Sequence, residues 1–311
     1  MPGQFALQYA AIAAAALAPV ILLIAWCVLS HARRAVALVA LLLAVPYFAG
    51  IWAFFIEPQT LVVRHVEVQS AQWTDAPLRI GVITDTHVGG PTMPVERMVD
   101  VVNRMNAEKP DLVVLLGDYV TSHEPAELRS HPERTAALEG IAAFAGLVAP
   151  RGVYAVIGNH DVLYDADAIR YALENANVRV LENDAVSVPG AGGYLVGLGE
   201  YSMRGADYAA ASQLAPEASP LIVLMHWPDS IKDINARAAL SLAGHTHCGQ
   251  MGVPGLDKLV VASPASRDYR CGLYDVGGLK LYVSGGVGES ILPMRLLAPP
   301  EIGVVTLRGT N

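Results

Sequence analysis

The sequence predicts an α/β domain carried behind a two-helix membrane anchor. Two long uncharged apolar segments open the chain. Short apolar runs then recur between stretches of helical period. Five of those runs stop at clusters of His, Asp and Asn, as ligand sites do at the carboxyl ends of strands in open α/β sheets.

The anchor comes first. No charged side chain occurs from Phe5 to Ser30 or over the 22 residues from Ala35 to Ile56. About 20 apolar residues cross a bilayer core as a helix, so residues 5–30 and 35–56 both qualify. Residues 1–57 are therefore expected to form the anchor and 58–311 the domain. A cleaved signal peptide is disfavoured, because no Lys or Arg precedes the first segment and a second follows at once. Arg33 and Arg34 lie in the turn between the segments. Positive-inside bias puts that turn in the cytoplasm and the domain in the periplasm or cell exterior.

Composition agrees with an anchored protein: 53% of residues are hydrophobic and 16% charged, and the mean hydropathy is +0.38. Beyond Ile56 stand 19 Lys and Arg against 29 Asp and Glu, a net of −10, so no nucleic-acid partner is expected. The apolar segments carry no charge to line an ion path, which argues against a channel or transporter. The cysteines are Cys27, Cys248 and Cys271. Their spacing gives no sign that any two meet, so Cys248 and Cys271 are expected as separate thiols; a bridge between them is the lesser alternative if the domain is exported.

Past the anchor, Leu61 to Val68 partly alternates and reads as a strand. A second strand runs from Leu78 to Thr84 and stops at Asp85-Thr86-His87. Pro94 to Met105 places Val95, Met98, Val99, Val102 and Met105 at helical spacing. Leu112 to Leu116 is a buried strand ending at Gly117-Asp118. Thr121 to Glu133 reads as a loop, followed by a helix from about Arg134 to Leu147. Val153 to Ile157 is a strand ending at Gly158-Asn159-His160-Asp161, and Ala166 to Asn175 is helix. Leu221 to Met225 stops at His226, and Ala239 to Ala243 at Gly244-His245-Thr246-His247. Leu279 to Val283 and Ile302 to Leu307 are further strands.

Taken singly, each cluster has an ordinary structural reading: Asp118 as a turn former, Asn159 as a helix cap. Together, five of the nine histidines, His87, His160, His226, His245 and His247, flank apolar runs. That placement points to a metal site. The donors are nitrogen and oxygen without an obligatory thiolate, and too many for one ion. A pair of borderline cations (Mn, with Fe or Zn as alternatives) is expected, with one carboxylate between ions about 3.5–4 Å apart.

The order Asp-x-His, Gly-Asp, Gly-Asn-His-Asp, His, Gly-His-x-His resembles the calcineurin-like metallophosphoesterases from about Leu78 onward. The resemblance implies a four-layer α/β/β/α sandwich. It implies that Asp85, His87 and His247 hold one ion, that Asn159, His226 and His245 hold the second, and that Asp118 bridges. His160, oriented by Asp161, would stabilise or protonate the leaving oxygen while a bridging hydroxide attacks phosphorus in line. The Asp-Arg-Gly of the protein Ser/Thr phosphatases is missing after Gly117-Asp118, which disfavours a phosphoprotein substrate. The ending from Gly285 to Ile302 resembles a bacterial membrane-associated phosphodiesterase branch, some of whose members cleave the pyrophosphate of UDP-2,3-diacylglucosamine. Cys248 departs from the Gly expected after the last His.

The resulting expectation is a metal-dependent phosphodiesterase or pyrophosphohydrolase, multi-pass in a bacterial inner membrane with its domain outside, acting on a lipid-linked or envelope phosphate. A nucleotide-linked lipid would be cytoplasmic and conflicts with that orientation. The alternative is a catalytically silent docking or metal-binding module; the full set of donors favours catalysis.

Overall fold

The computed structural model describes residues 20, 21, 23, 24, 31–121, 124–253, 263–290 and 292–310. The expected first membrane helix lies almost wholly outside the described residues. The second expected segment is helical: α1 (His31–Ile51) runs on through a π-helical turn, Trp52–Ile56, and a 3-10 turn, Glu57–Gln59. Arg33–Gln59 is one helix of 27 residues, long enough to cross a bilayer, and its most apolar 18-residue stretch has a mean hydropathy of 2.2. Pro46 sits inside it.

Two six-stranded sheets follow. The first has the order β1 (Val62–Ser70), β12 (Glu301–Gly309), β2 (Leu78–Ile83), β3 (Leu112–Leu115), β4 (Val153–Ala155), β5 (Arg179–Val180). All its pairings are parallel except β12 with β2. The second has the order β10 (Gly272–Val276), β11 (Leu279–Val283), β9 (Ala238–Ala243), β8 (Leu221–Leu224), β7 (Tyr194–Gly197), β6 (Asp184–Ser187). Its middle strands are parallel, and its outermost pairs at both edges are antiparallel.

Side-chain alternation builds the layers. On β3, Val113 and Leu115 pack toward the helices α2 (Val95–Ala107), α3 (His131–Ala142) and α4 (Asn159–Asn175), against Met98, Met105, Ile141 and Ile169. Leu112 and Val114 turn the other way and meet Leu195, Ile222, Leu224, Leu240 and Leu242 of the second sheet. A strand buried on both faces needs such a continuous apolar run. The outer face of the second sheet is covered by α5 (Tyr208–Gln213) and a 3-10 turn at Pro228–Asp233. The architecture is thus the expected four-layer α/β/β/α sandwich.

Two helix starts differ from expectation. Helix α3 begins at His131, because Ser130 and Glu133 form a capping box and a proline occupies the first turn. Helix α4 begins at Asn159 rather than Ala166. It breaks at Asp165, whose backbone is extended and whose carboxylate accepts from Ala168 N and caps the second part. The apolar periodicity revealed only that second part.

Candidate metal centre

Asp85 and His87 follow β2, Asp118 follows β3, and Asn159, His160 and Asp161 open α4 after β4. His226 follows β8, and His245 and His247 follow β9. Five strand ends from two sheets therefore meet in one place. Backbone bonds lock the turns together: Asp85 N donates to Gly117 O, His87 N to Asp118 O, and Gly244 N to His226 O. Asp85, His87, Asp118, His245 and His247 all hold positive φ, between 44° and 71°. Non-glycine residues avoid that region, and such strain collects at functional sites. Gly158 is required for close approach, since a Cβ there would lie 2.3 Å from Asp118 Oδ1.

Asp118 Oδ2 is the focus. It lies 3.1 Å from His226 Nε2, 3.8 Å from His87 Nε2 and 4.0 Å from His160 Nε2. On one side, His87 Nε2 faces His247 Nε2 at 3.1 Å, and Asp85 Oδ1 is 3.5 Å from His247 Nε2. On the other, His226 Nε2 is 3.2 Å from His245 Nδ1 and 3.1 Å from Asn159 Oδ1. The set Asp85, His87, His247 and the set Asp118, His226, His245 each bring three donor atoms within 4.8 Å of one another.

These donors fit cations. His226 Nδ1 donates to Leu116 O at 2.7 Å, and His247 Nδ1 points to Gly288 O at 3.3 Å, so both turn Nε2 toward the centre. Two imidazole nitrogens that face each other in a dry pocket call for a positive charge between them. Burial pushes the His87 imidazole down to about 3 and that of His247 well below its ordinary range, which keeps both neutral, as metal ligation requires. Burial alone would raise Asp118, but His226 and His160 outweigh it and hold the carboxyl well below the usual range. Burial raises Asp85 to about 6, with Asp118 adding to the rise and His226 opposing it. For His226 burial acts downward, yet Asp118 lifts it to about 10.

The family model for the calcineurin-like phosphoesterases matches residues 78–249, more than half of the chain and every ligand-bearing strand end. The chain belongs to that family. The phosphoesterase is similar to the uncharacterised metallophosphoesterase YkuE of Bacillus subtilis, 30% identical over 222 residues that cover 70% of this chain and 74% of that one. It is also similar to a transmembrane protein with metallophosphoesterase domain from Danio rerio, 28% identical over 271 residues. That match covers 81% of this chain and 58% of the fish protein. A solved structure of a dimetal phosphatase from Danio rerio is similar over 68% of this chain and 88% of that chain, at 14% identity and a TM-score of 0.44. With the donor clusters in place, the phosphoesterase is a metal-dependent hydrolase of phosphoester bonds with a dinuclear divalent-metal site.

All nine expected site residues of the phosphoesterase lie in this one region, but Asp161 has a different job. Its Oδ1 accepts from Tyr119 N, and its Oδ2 from Asp118 N and Gly158 N. The carboxylate expected to orient His160 instead pins the Asp118 turn onto the start of α4; burial raises it to about 7, and Asp118 adds to the rise. The cysteine expectation is corrected as well. Cys248 and Cys271 form a disulfide with Cα atoms 5.1 Å apart, because the left-handed turn at His247, Cys248 and Gln250 folds the thiol back toward β10.

Three supporting residues escaped the sequence reading. Trp227 stacks on His245 with ring centres 4.1 Å apart and donates Nε1–H to Asn159 Oδ1. Its place next to His226 was the available signal. Arg295, fully buried, donates to the carbonyls of Gly285, Gly286 and Gly288. Gln250 donates to Leu292 O and Met294 O. Neither of these two gives a local sequence signal.

Proposed function

We propose that the phosphoesterase cleaves phosphodiester or pyrophosphate bonds in a lipid-linked or envelope phosphate, outside the membrane that its N-terminal helix crosses. The observation that carries the reading is the position of Asp118, shared between two donor clusters at the junction of the two sheets. Asp85, His87 and His247 would hold one cation, Asn159, His226 and His245 the other, and Asp118 would serve both. Manganese suits this nitrogen and oxygen set best, with iron or zinc as alternatives. Bound there, the cations supply charge neutralisation at the phosphoryl oxygens and an acidified water.

The chain's own residues do the rest. His160 reaches to 4.0 Å from Asp118 with its ring edge against His87, and it gives a proton to the leaving oxygen. Trp227 orients the Asn159 amide so that its oxygen faces the centre. Near-complete burial of the donors excludes water and strengthens every electrostatic contact. The disulfide supports an extracytoplasmic domain, since such bonds persist in oxidising compartments, and Arg33 with Arg34 supports the same orientation.

The test is hydrolysis of bis(p-nitrophenyl) phosphate by the full chain with added Mn²⁺, against Asp118→Asn and His160→Ala and against p-nitrophenyl phosphate. Turnover should need the metal, exceed both variants by at least about 100-fold, and favour the diester. Wild type indistinguishable from Asp118→Asn on every phosphoester would refute the reading. A reporter fused after Asn311 that reads cytoplasmic would overturn the orientation.

A further inference from the structure

Where the apolar helix ends, a distant segment is laid against it. Arg295 N donates to Ala53 O at 2.9 Å, Leu297 N to Glu57 Oε2 at 3.0 Å, and Ala298 N to Glu57 Oε1 at 2.6 Å. Trp52 Nε1 closes on the same carboxylate. The 292–298 segment therefore runs beside the last turn of the membrane helix. Two of its side chains nonetheless point outward, Leu297 at 64% exposure and Leu292 at 49%. Leu297 also holds a left-handed backbone, φ 57°, a conformation that water-facing loops give to Gly or Asn. Phe54 and Phe55 are exposed at the same helix end, 41% and 73%.

We propose that Leu292–Leu297 is a second membrane contact, an apolar ledge that sits with Phe54 and Phe55 in the boundary between acyl chains and headgroups. The occupant is the lipid bilayer itself, because the ledge is continuous with a helix long and apolar enough to cross it. Exposed leucines fastened by backbone bonds to such a helix are already at membrane depth, and lipid removes the cost of exposing them.

The ledge is also fastened to the metal centre. Gln250, three residues past His247, donates to Leu292 O at 2.7 Å and Met294 O at 3.0 Å and accepts from Ser290 N. The Arg295 guanidinium donates to three carbonyls of the Gly285–Gly288 turn. Gly288 in turn donates its N–H to Asp85 O, and its carbonyl faces His247 Nδ1. Bilayer contact and metal ligands are parts of one hydrogen-bonded unit. On the functional reading above, this couples the centre to the interface where amphiphilic phosphoesters reside.

The test reads depth. Nitroxide labels are placed on Leu292→Cys and Leu297→Cys in the full chain, with Cys27→Ser as background, in phospholipid nanodiscs. Phe55→Cys is the membrane reference and Leu214→Cys, an exposed position just past α5 (59% exposed), the aqueous one. Both ledge labels should be several-fold more accessible to oxygen than to a water-soluble nickel chelate, as at Phe55, with the ratio inverted at Leu214. Ledge labels that match Leu214 overturn the proposal, and the two positions report separately if one variant melts early by circular dichroism. Absence of metal-dependent turnover on every phosphoester would refute the functional reading and leave this measurement untouched, and the converse holds.

Discussion

Replacing Cys271 with alanine probes how the last ligand turn is held. The Cys248–Cys271 bridge closes a loop of 23 residues. In the chain-entropy account, removing a cross-link of that span costs about 3 kcal/mol. For a domain of this size that corresponds to a fall in Tm of roughly 5–12 °C. A second effect is local. Cys248 directly follows His247, and His245, His247, Cys248 and Gln250 all hold positive φ. An unstapled turn relaxes toward ordinary backbone and swings His247 away from Asp85, so Mn²⁺ affinity should fall by about tenfold or more. The assays are thermal melts of the full chain with and without reductant, calorimetric Mn²⁺ titration, and a thiol count in denaturant. Wild type should show one free thiol, that of Cys27, and three after reduction. Three thiols in the untreated protein, together with a Tm that neither reductant nor Cys271→Ala changes, would refute the reasoning.

Trp227→Phe keeps a ring over His245 but loses the bond to Asn159 Oδ1; Mn²⁺ affinity should drop about 10–100-fold by calorimetry, and Trp227→Ala should lose more. Burial raises Glu289 to about 7, against the lowering effect of Arg295 and Arg97. A carboxyl raised on folding favours the native state below its unfolded value near 4.5 and withdraws that stability as pH climbs through 7, by up to about 3 kcal/mol. Urea melts from pH 4.5 to 7.5 should therefore be flatter for Glu289→Gln than for wild type. Arg308→Ala removes an exposed pair with Glu67 and should change stability by less than about 1 kcal/mol in the same melts, which sets the scale for a solvated contact.

The sheet was legible because its strands are buried on both faces and read as unbroken apolar runs; the clusters were legible because each run ends where its polar residues begin. Short edge strands escaped. β5 has two residues, and β6 is only half-buried, so neither carries a recognisable pattern. The site residues came from the ordered spacing of five clusters, and the structure brings all of them together. Their assignment by neighbour in sequence was less dependable. Asp161 sits beside His160 in the chain, but its position in the first turn of α4 aims its carboxylate at exposed amides of that turn and of the Asp118 turn. Sequence adjacency says nothing about the direction in which a side chain leaves a helix. The Cys248–Cys271 bond was illegible for the same reason: the turn that joins the thiols depends on left-handed backbone at His247, Cys248 and Gln250, which local propensity does not favour.

The centre buries five imidazoles and the three carboxylates of Asp85, Asp118 and Asp161 and holds several of them in strained backbone, without a compensating ion pair for each. A fold that is stable by only about 5–15 kcal/mol overall can carry such a cluster only if the surrounding structure over-determines it or a bound charge offsets it. Both conditions are met. Asp161, Arg295, Gln250 and the disulfide hold the turns from outside, and the donor set accepts cations from inside. The outer supports are not interchangeable with generic packing, because two of them, Arg295 and Gln250, reach the segment that lies against the end of the long apolar helix. A soluble fragment lacking Trp52–Gln59 would lose the backbone partner of Arg295 and the carboxylate that holds Leu297 and Ala298. The end of the long apolar helix is thus hydrogen-bonded to the same segment that supports the metal centre.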